Sequence, residues 1–360
     1  MGIIEHRLNR RSALGVAVAA SAAVALPITA DARPPRPEWA HQGNFGVSGA
    51  GLGELNIPLG VALSNDGYMA LVVDGGNSRV TVWSKKAKTW VFEQDFGGWG
   101  SDPDQFDAPE YVALSPDGYT AYVSDQGNSR VSIWELGFAG WFHVENFGSA
   151  GTGQQEFGTP TGIAVAFDGS VLVADEELNR VAVWQRVAGV WTCTQTFGTP
   201  SFNGIIPGES AWNLVAPDGI GMTPDGRSAF VCLQTESRIS VWNYLDGRWV
   251  YDTSFGAPLG SGPLQSFYPW DVTISRNGNT CFVSDTGNHR VTVFRKKRGA
   301  WQHVGMFGIP GAGPSRLGYT GGVAVNRNGR NLLVVDSTND RVSQWKATRW
   351  GRRMGRKDSY

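Results

Sequence analysis

The chain has little of what disulfide-built or metal-dependent proteins rely on. Only three of its 360 residues are cysteine and five are histidine. Three cysteines are an odd number and too few for a disulfide framework in so long a chain. Neither residue type clusters at zinc-ligand spacing. Charged residues are 18 % of the chain and the formal net charge is −1. That balance excludes a wholesale basic nucleic-acid binder, though not a local basic patch. No Gly-x-Ser-x-Gly nucleophile elbow is present. Glycine-rich stretches such as residues 49–53 are not followed by a helical pattern, so they are not phosphate cradles. After residue 33 no ten-residue segment shows a helical hydrophobic period.

Glycine and tryptophan, by contrast, are abundant at 48 and 15 residues, and 41 % of the chain is hydrophobic. Such a composition folds around a core. Residues 1–32 read as an export signal: Arg7, Arg10 and Arg11 precede an Ala/Val-rich stretch from Ala13 to Leu26, and Ala30-Asp31-Ala32 offers a cleavage site. Asn9-Arg10-Arg11-Ser12-Ala13-Leu14 resembles a twin-arginine signal, with the Sec route as the alternative. The expected location is periplasmic, extracellular or at the cell surface, with residues 33–37 as a linker.

Beyond the linker the chain repeats. Phe-Gly recurs at Phe45, Phe96, Phe147, Phe197, Phe255 and Phe307, and an Arg recurs at 79, 130, 180, 238, 290 and 341. Each of the first five Arg stands 17 residues before the next Phe-Gly, in a period of about 51 residues with one interval of 58. Within a unit, short apolar runs alternate with Gly- and Asp-rich turns such as Asn65-Asp66-Gly67, which predicts four strands per unit. Six such units predict an all-β, six-bladed β-propeller over residues 38–345, followed by a basic tail at 346–360. Every fourth strand carries Trp six residues before its Phe, and Trp39 and Phe45 keep that spacing while the last unit stops after its third strand. The N-terminal strand is therefore predicted to close the C-terminal blade.

The unit Phe-Gly … Pro-x-Gly-Val-Ala … Asp-Gly … Val-x-Asp-x-x-Asn-x-Arg-Val-x-Val-Trp resembles the NHL repeat. Asp285-Thr-Gly-Asn288-His289-Arg290-Val291 is the copy most like it. The resemblance implies a six-bladed propeller of the kind found in exported bacterial proteins and in tripartite-motif proteins. The RING and coiled coil of the latter are not in this sequence, so ubiquitin-ligase chemistry is not carried over. Some NHL-like lyases hold zinc through channel histidines; here His41, His143 and His303 fall on predicted outer strands, and His289 on a turn.

The recurring charges read as architecture. An Arg fork opposite Asp74, Asp125, Asp175, Asp285 or Asp336 can make a bidentate pair that holds the turn between strands two and three. Most tryptophans are repeat positions and read as inter-blade packing. The cysteines fall within predicted strands, as buried small apolar residues.

Function is sought where the repeat breaks. The loop entering blade 4 is longer, with all the extra length in residues 198–216, including Trp212, and Leu233 replaces the recurring Asp. The two residues after each recurring Pro, or after Thr320, should ring the mouth of the central channel. They bring Glu110, Tyr111, Asp218, Trp270 and Asp271 together, with Trp212 nearby. Three carboxylates, Glu110, Asp218 and Asp271, suit Ca²⁺, and carboxylates beside aromatic faces suit a cationic or sugar ligand. Calcium-dependent six-bladed lactonases and paraoxonases share this architecture. On the opposite face a basic rim is expected from Lys85, Lys86 and Lys88, from Arg295, Lys296, Lys297 and Arg298, and from tail residues including Arg349, Arg352 and Arg353. Anionic lipid headgroups or envelope polymers are its expected partners, nucleic acid not. The favoured function is an exported binding scaffold for a protein, glycan or small ligand, without catalysis, acting through the loop face around the channel. The alternative is a calcium-dependent hydrolase or lyase using the three carboxylates.

Overall fold

Each repeat folds as one antiparallel sheet because its apolar runs are four to six residues long and end in turns rich in Gly, Asp and Asn. The computed structural model describes residues 39–198, 213–256, 259–262 and 265–348. The export signal, the linker, Trp212 and most of the blade 4 insertion, and Arg349, Arg352 and Arg353 lie outside the described residues. Six four-stranded sheets follow one another in sequence order. Blade 1 runs Pro58–Leu63, Met69–Asp74, Arg79–Lys86 and Thr89–Gly97, from the channel outwards. Blades 2 to 5 begin at Pro109, Pro160, Pro217 and Pro269. Blade 6 comprises Thr320–Val325, Asn331–Asp336 and Arg341–Ala347, with Trp39–Phe45 as its outer strand. The first strands contact in sequence order and blade 6 meets blade 1.

The N-terminal strand carries the same irregularity as its five counterparts. In every blade the outer strand has one extra residue where it passes the middle of the third strand: Gln42 in blade 6, Glu93 in blade 1, and so on around the ring. Such a bulge increases the local twist and curls each blade.

The tryptophans join blades, as the spacing predicts. The Phe that ends each outer strand lies against the third-strand aromatic of the next blade, with ring centroids 4.5 to 5.1 Å apart at all six joints. Blade 5 uses Phe294 where the others use Trp. Aromatic pairs at these distances add about 0.5–1.5 kcal/mol each beyond area burial. The three cysteines are buried and unpaired.

Candidate functional site

Two sets of loops share the face called here the top: the turns from second to third strand, and the long loops that carry the chain into the next blade. The recurring Asp and Arg bind them together. Asp74, fully buried, accepts hydrogen bonds from Arg79 Nε (2.8 Å), Asn77 Nδ2 (2.8 Å) and the amide of Asn56 (2.6 Å). Arg79 Nη2 reaches instead into the long loop and donates to the carbonyls of Gly51 and Glu54 at 2.8 and 2.9 Å. Blade 2 repeats this with Asp125, Arg130 and the carbonyls of Asp102 and Gln105. Blades 3, 5 and 6 follow the same plan. The pair is thus not the bidentate fork expected from sequence. Loop carbonyls need donors, and the second carboxylate oxygen is taken by a loop amide, so the guanidinium divides itself between the Asp and the loop. Burial raises the carboxyls of Asp74, Asp125 and Asp175 despite these bonds. In blade 4, where Leu233 replaces the Asp, Arg238 turns to Glu236 and to the Asn213 carbonyl.

Each clamped loop also closes on itself through a short parallel bridge, for example Trp99 with Phe106 and Ala150 with Phe157. The clamps leave large apolar side chains outside. Leu52 and Trp99 are each 79 % exposed, and Val47, Leu259 and Ile309 are more than half exposed. These sit on the loops entering blades 5, 6, 1 and 2, four neighbours around the ring.

The predicted channel-mouth residues come together but do not line an open mouth. Glu110, Tyr111, Asp218, Trp270 and Asp271 are all buried. At the second channel-mouth position, Gly60, Gly162, Gly219 and Gly322 allow adjacent first strands to approach closely; a Cβ on Gly162 would stand 2.2 Å from the Asp218 carbonyl. Only Tyr111 and Asp271 break this series, on blades 2 and 5, opposite one another. The Tyr111 hydroxyl crosses the axis and lies 2.8 Å from Asp218 Oδ1 and 2.9 Å from the Trp270 carbonyl, its one proton shared between two acceptors. Leu59 and Tyr319 pack against the same cluster, and Trp270 meets Tyr319 edge-on at 5.6 Å. Tyr111 of blade 2 thus spans the axis to blades 4 and 5.

The carboxylates there already have partners. Gln126 donates to Glu110 at 2.6 Å, and Gln234 donates to Asp218. Both glutamines occupy the slot after the recurring Asp position, and sequence reasoning missed them. Asp271 accepts the amides of its neighbour Val272 and of Val323 in blade 6, both at 2.8 Å. Burial pushes the Asp271 carboxyl up to about 7, against the two amides that favour its ionised form. Burial also raises Tyr111, with Asp218, Asp271 and Glu110 adding to the effect, so its phenol stays protonated. Among the described residues no group of three or more His, Cys, Asp or Glu side chains is arranged to hold a metal ion. Calcium needs six or more oxygen ligands, whereas both oxygens of Asp218 and of Asp271 are committed to donors. These residues do not fit the calcium site expected from sequence.

The basic rim lies on the opposite face. Lys85 is half-buried over the Trp90 ring, and burial with nearby Lys346 lowers its ammonium. Lys86 pairs with Glu93 at 2.7 Å. Lys88, Lys296, Lys297 and Arg298 are exposed, whereas Arg295 is partly buried. His41, His143 and His303 lie on outer strands, and His289 sits in a left-handed turn with Nδ1 at 2.7 Å from the Gly318 carbonyl.

Residues 268–294, the first three strands of blade 5 with the Asp285–Arg290 turn, match the NHL repeat family. Blade 5 thus carries an NHL repeat within a six-bladed β-propeller. The chain is 27 % identical over 151 residues to human NHL repeat-containing protein 3, a match covering 40 % of this chain and 38 % of that protein. The chain therefore spans well under half of that relative's length. The propeller also resembles the periplasmic gluconolactonase of Pseudomonas aeruginosa at 16 % identity, with a TM-score of 0.52 and 80 % of each chain covered. A protein of unknown function from Desulfotomaculum acetoxidans aligns at 17 % identity and a TM-score of 0.51, over 80 % of this chain and 84 % of that one. At such identities the likeness is one of fold.

Proposed function

We propose that the protein is an exported binding scaffold that recognises a protein partner through its top loop face. The observation that carries this reading is the set of large exposed apolar side chains on four successive clamped loops. Loops tied down by buried Asp–Arg bridges lose little entropy on docking, and an exposed Trp such as Trp99 is the residue type that anchors interfaces. Export rests on the twin-arginine-like N-terminus. Burial of Glu110, Tyr111, Asp218, Trp270 and Asp271 favours recognition on the loop surface.

The test uses a photo-crosslinking amino acid placed at Trp99 and, as a control on the opposite face, at exposed Phe138 in the native host. A partner captured from position 99 alone is then purified for binding measurements. Trp99→Ala should weaken its affinity by about tenfold or more, and Phe138→Ala should leave it unchanged. Equal affinity for the wild type and Trp99→Ala would remove the top face from the interaction.

A further inference from the structure

The face opposite the loops carries a cavity of about 610 Å³ on the propeller axis. That volume is typical of small-ligand sites. The last residue of each first strand faces it: Leu63, Leu114, Val165, Met222, Ile274 and Val325, an aliphatic ring contributed by all six blades. Around this ring the first-to-second-strand turns supply the rim.

The turns are built alike in structure but not in charge. In blades 1 to 4 they read Asn65-Asp66-Gly67, Pro116-Asp117-Gly118, Phe167-Asp168-Gly169 and Pro224-Asp225-Gly226. In blades 5 and 6 they read Arg276-Asn277-Gly278 and Arg327-Asn328-Gly329. The middle side chain accepts the amide two residues on in every blade, at 2.9 to 3.1 Å, whether it is Asp or Asn. The turn itself therefore needs no charge. Yet two adjacent turns have lost the carboxylate and gained an arginine that lines the cavity. Both arginines are exposed, and neither forms an ion pair with a described residue. Opposite them, on blade 3, Phe167 stands 77 % exposed at the same rim. Asp225, also at the rim, is engaged by Thr223 and by the Arg227 amide.

We infer that this cavity binds a small amphipathic anion: an apolar body on the aliphatic ring and Phe167, and a carboxylate or phosphate head at Arg276 and Arg327. Guanidinium forks suit either head, and the apolar floor supplies the remaining contact. The site is independent of the top-face reading, since it lies at the other end of the axis.

Calorimetric titration of the full chain with decanoate, decyl phosphate, decan-1-ol and acetate tests it. Both decyl anions should bind, acetate should not, and decanol should bind about tenfold more weakly than the better anion. The double variant Arg276→Gln/Arg327→Gln should weaken the anions about tenfold and leave decanol unchanged. Val165→Trp, which fills the floor, should abolish binding of all decyl compounds, with circular dichroism confirming the fold. Tighter binding of decyl phosphate than of decanoate would identify a phosphate head. The inference is overturned if neither decyl anion binds at millimolar concentration, if decanol matches them, or if the arginine variant binds them as the wild type does.

Discussion

Asp271 places a buried carboxyl where four of the other five blades carry glycine. Its two amide partners favour the ionised form, but desolvation outweighs them and holds the group near 7. A carboxyl raised on folding stabilises the fold while both states are protonated, below about pH 4, and that contribution is lost as pH rises through about 7. Relative to Asp271→Asn, the wild type should therefore lose stability between pH 4 and 7, by at most about 4 kcal/mol. Urea melts of both proteins across that range give the difference directly. Parallel profiles would mean that Asp271 does not titrate in this window. Cys232 and Cys281 sit in the same buried layer with their thiols raised by burial and by nearby Asp271. They should resist alkylation until the protein unfolds.

At the scale of the element, the unit that matters is the clamped loop. Arg130→Ala would leave Asp125 buried without its cation and free the Asp102 and Gln105 carbonyls, at a cost of about 3–5 kcal/mol. Arg238→Ala in blade 4 should cost clearly less, because its partner Glu236 is partly exposed and no buried Asp is left behind. Paired chemical denaturation of the two variants measures the gap, and equal losses would mean that the buried Asp is not what makes the clamp strong. Strand number, blade number and the Asp–Arg spacing were legible because they recur at a fixed period, so each copy checked the others. Gln126 and Gln234 were not legible, since their slot holds Gly75, Glu176, Thr286 and Ser337 elsewhere. Burial of Glu110, Asp218 and Asp271 was hidden for a different reason. It arises where different blades meet, as when Tyr111 crosses the axis to Asp218 and the Trp270 carbonyl, contacts that no local pattern encodes.

For the whole molecule, the ring decides both ligand chemistry and stability. A calcium site would stabilise the fold by linkage, by about 2.7 kcal/mol at a hundred times its dissociation constant, and so raise the melting midpoint. With the channel carboxylates already committed, melts with calcium and with chelator should coincide, and a calcium-dependent rise lost in Glu110→Ala would reinstate a metal there. Closure itself rests on one strand. In an open array of repeats, the terminal units fray because each has only one neighbour. Here Trp39–Phe45 completes blade 6, with Asn44 and Phe45 opposite Ser343 and Val342, and Trp39 packs on Phe282 and Phe307 of blade 5 at 5.1 and 5.4 Å. Phe45 continues the seam onto Trp83 and Trp90 of blade 1. The strand Trp39–Phe45 thus ties the last blade to the neighbours on both sides. Trp39→Ala should cost about 3–5 kcal/mol by its burial alone. Because the strand also closes the ring, the variant should expose the amides of residues 341–347 first in hydrogen exchange, while blades 2 and 3 stay protected. Uniform exchange across all six blades would mean that the ring opens as one unit and that closure is no weaker than any other joint.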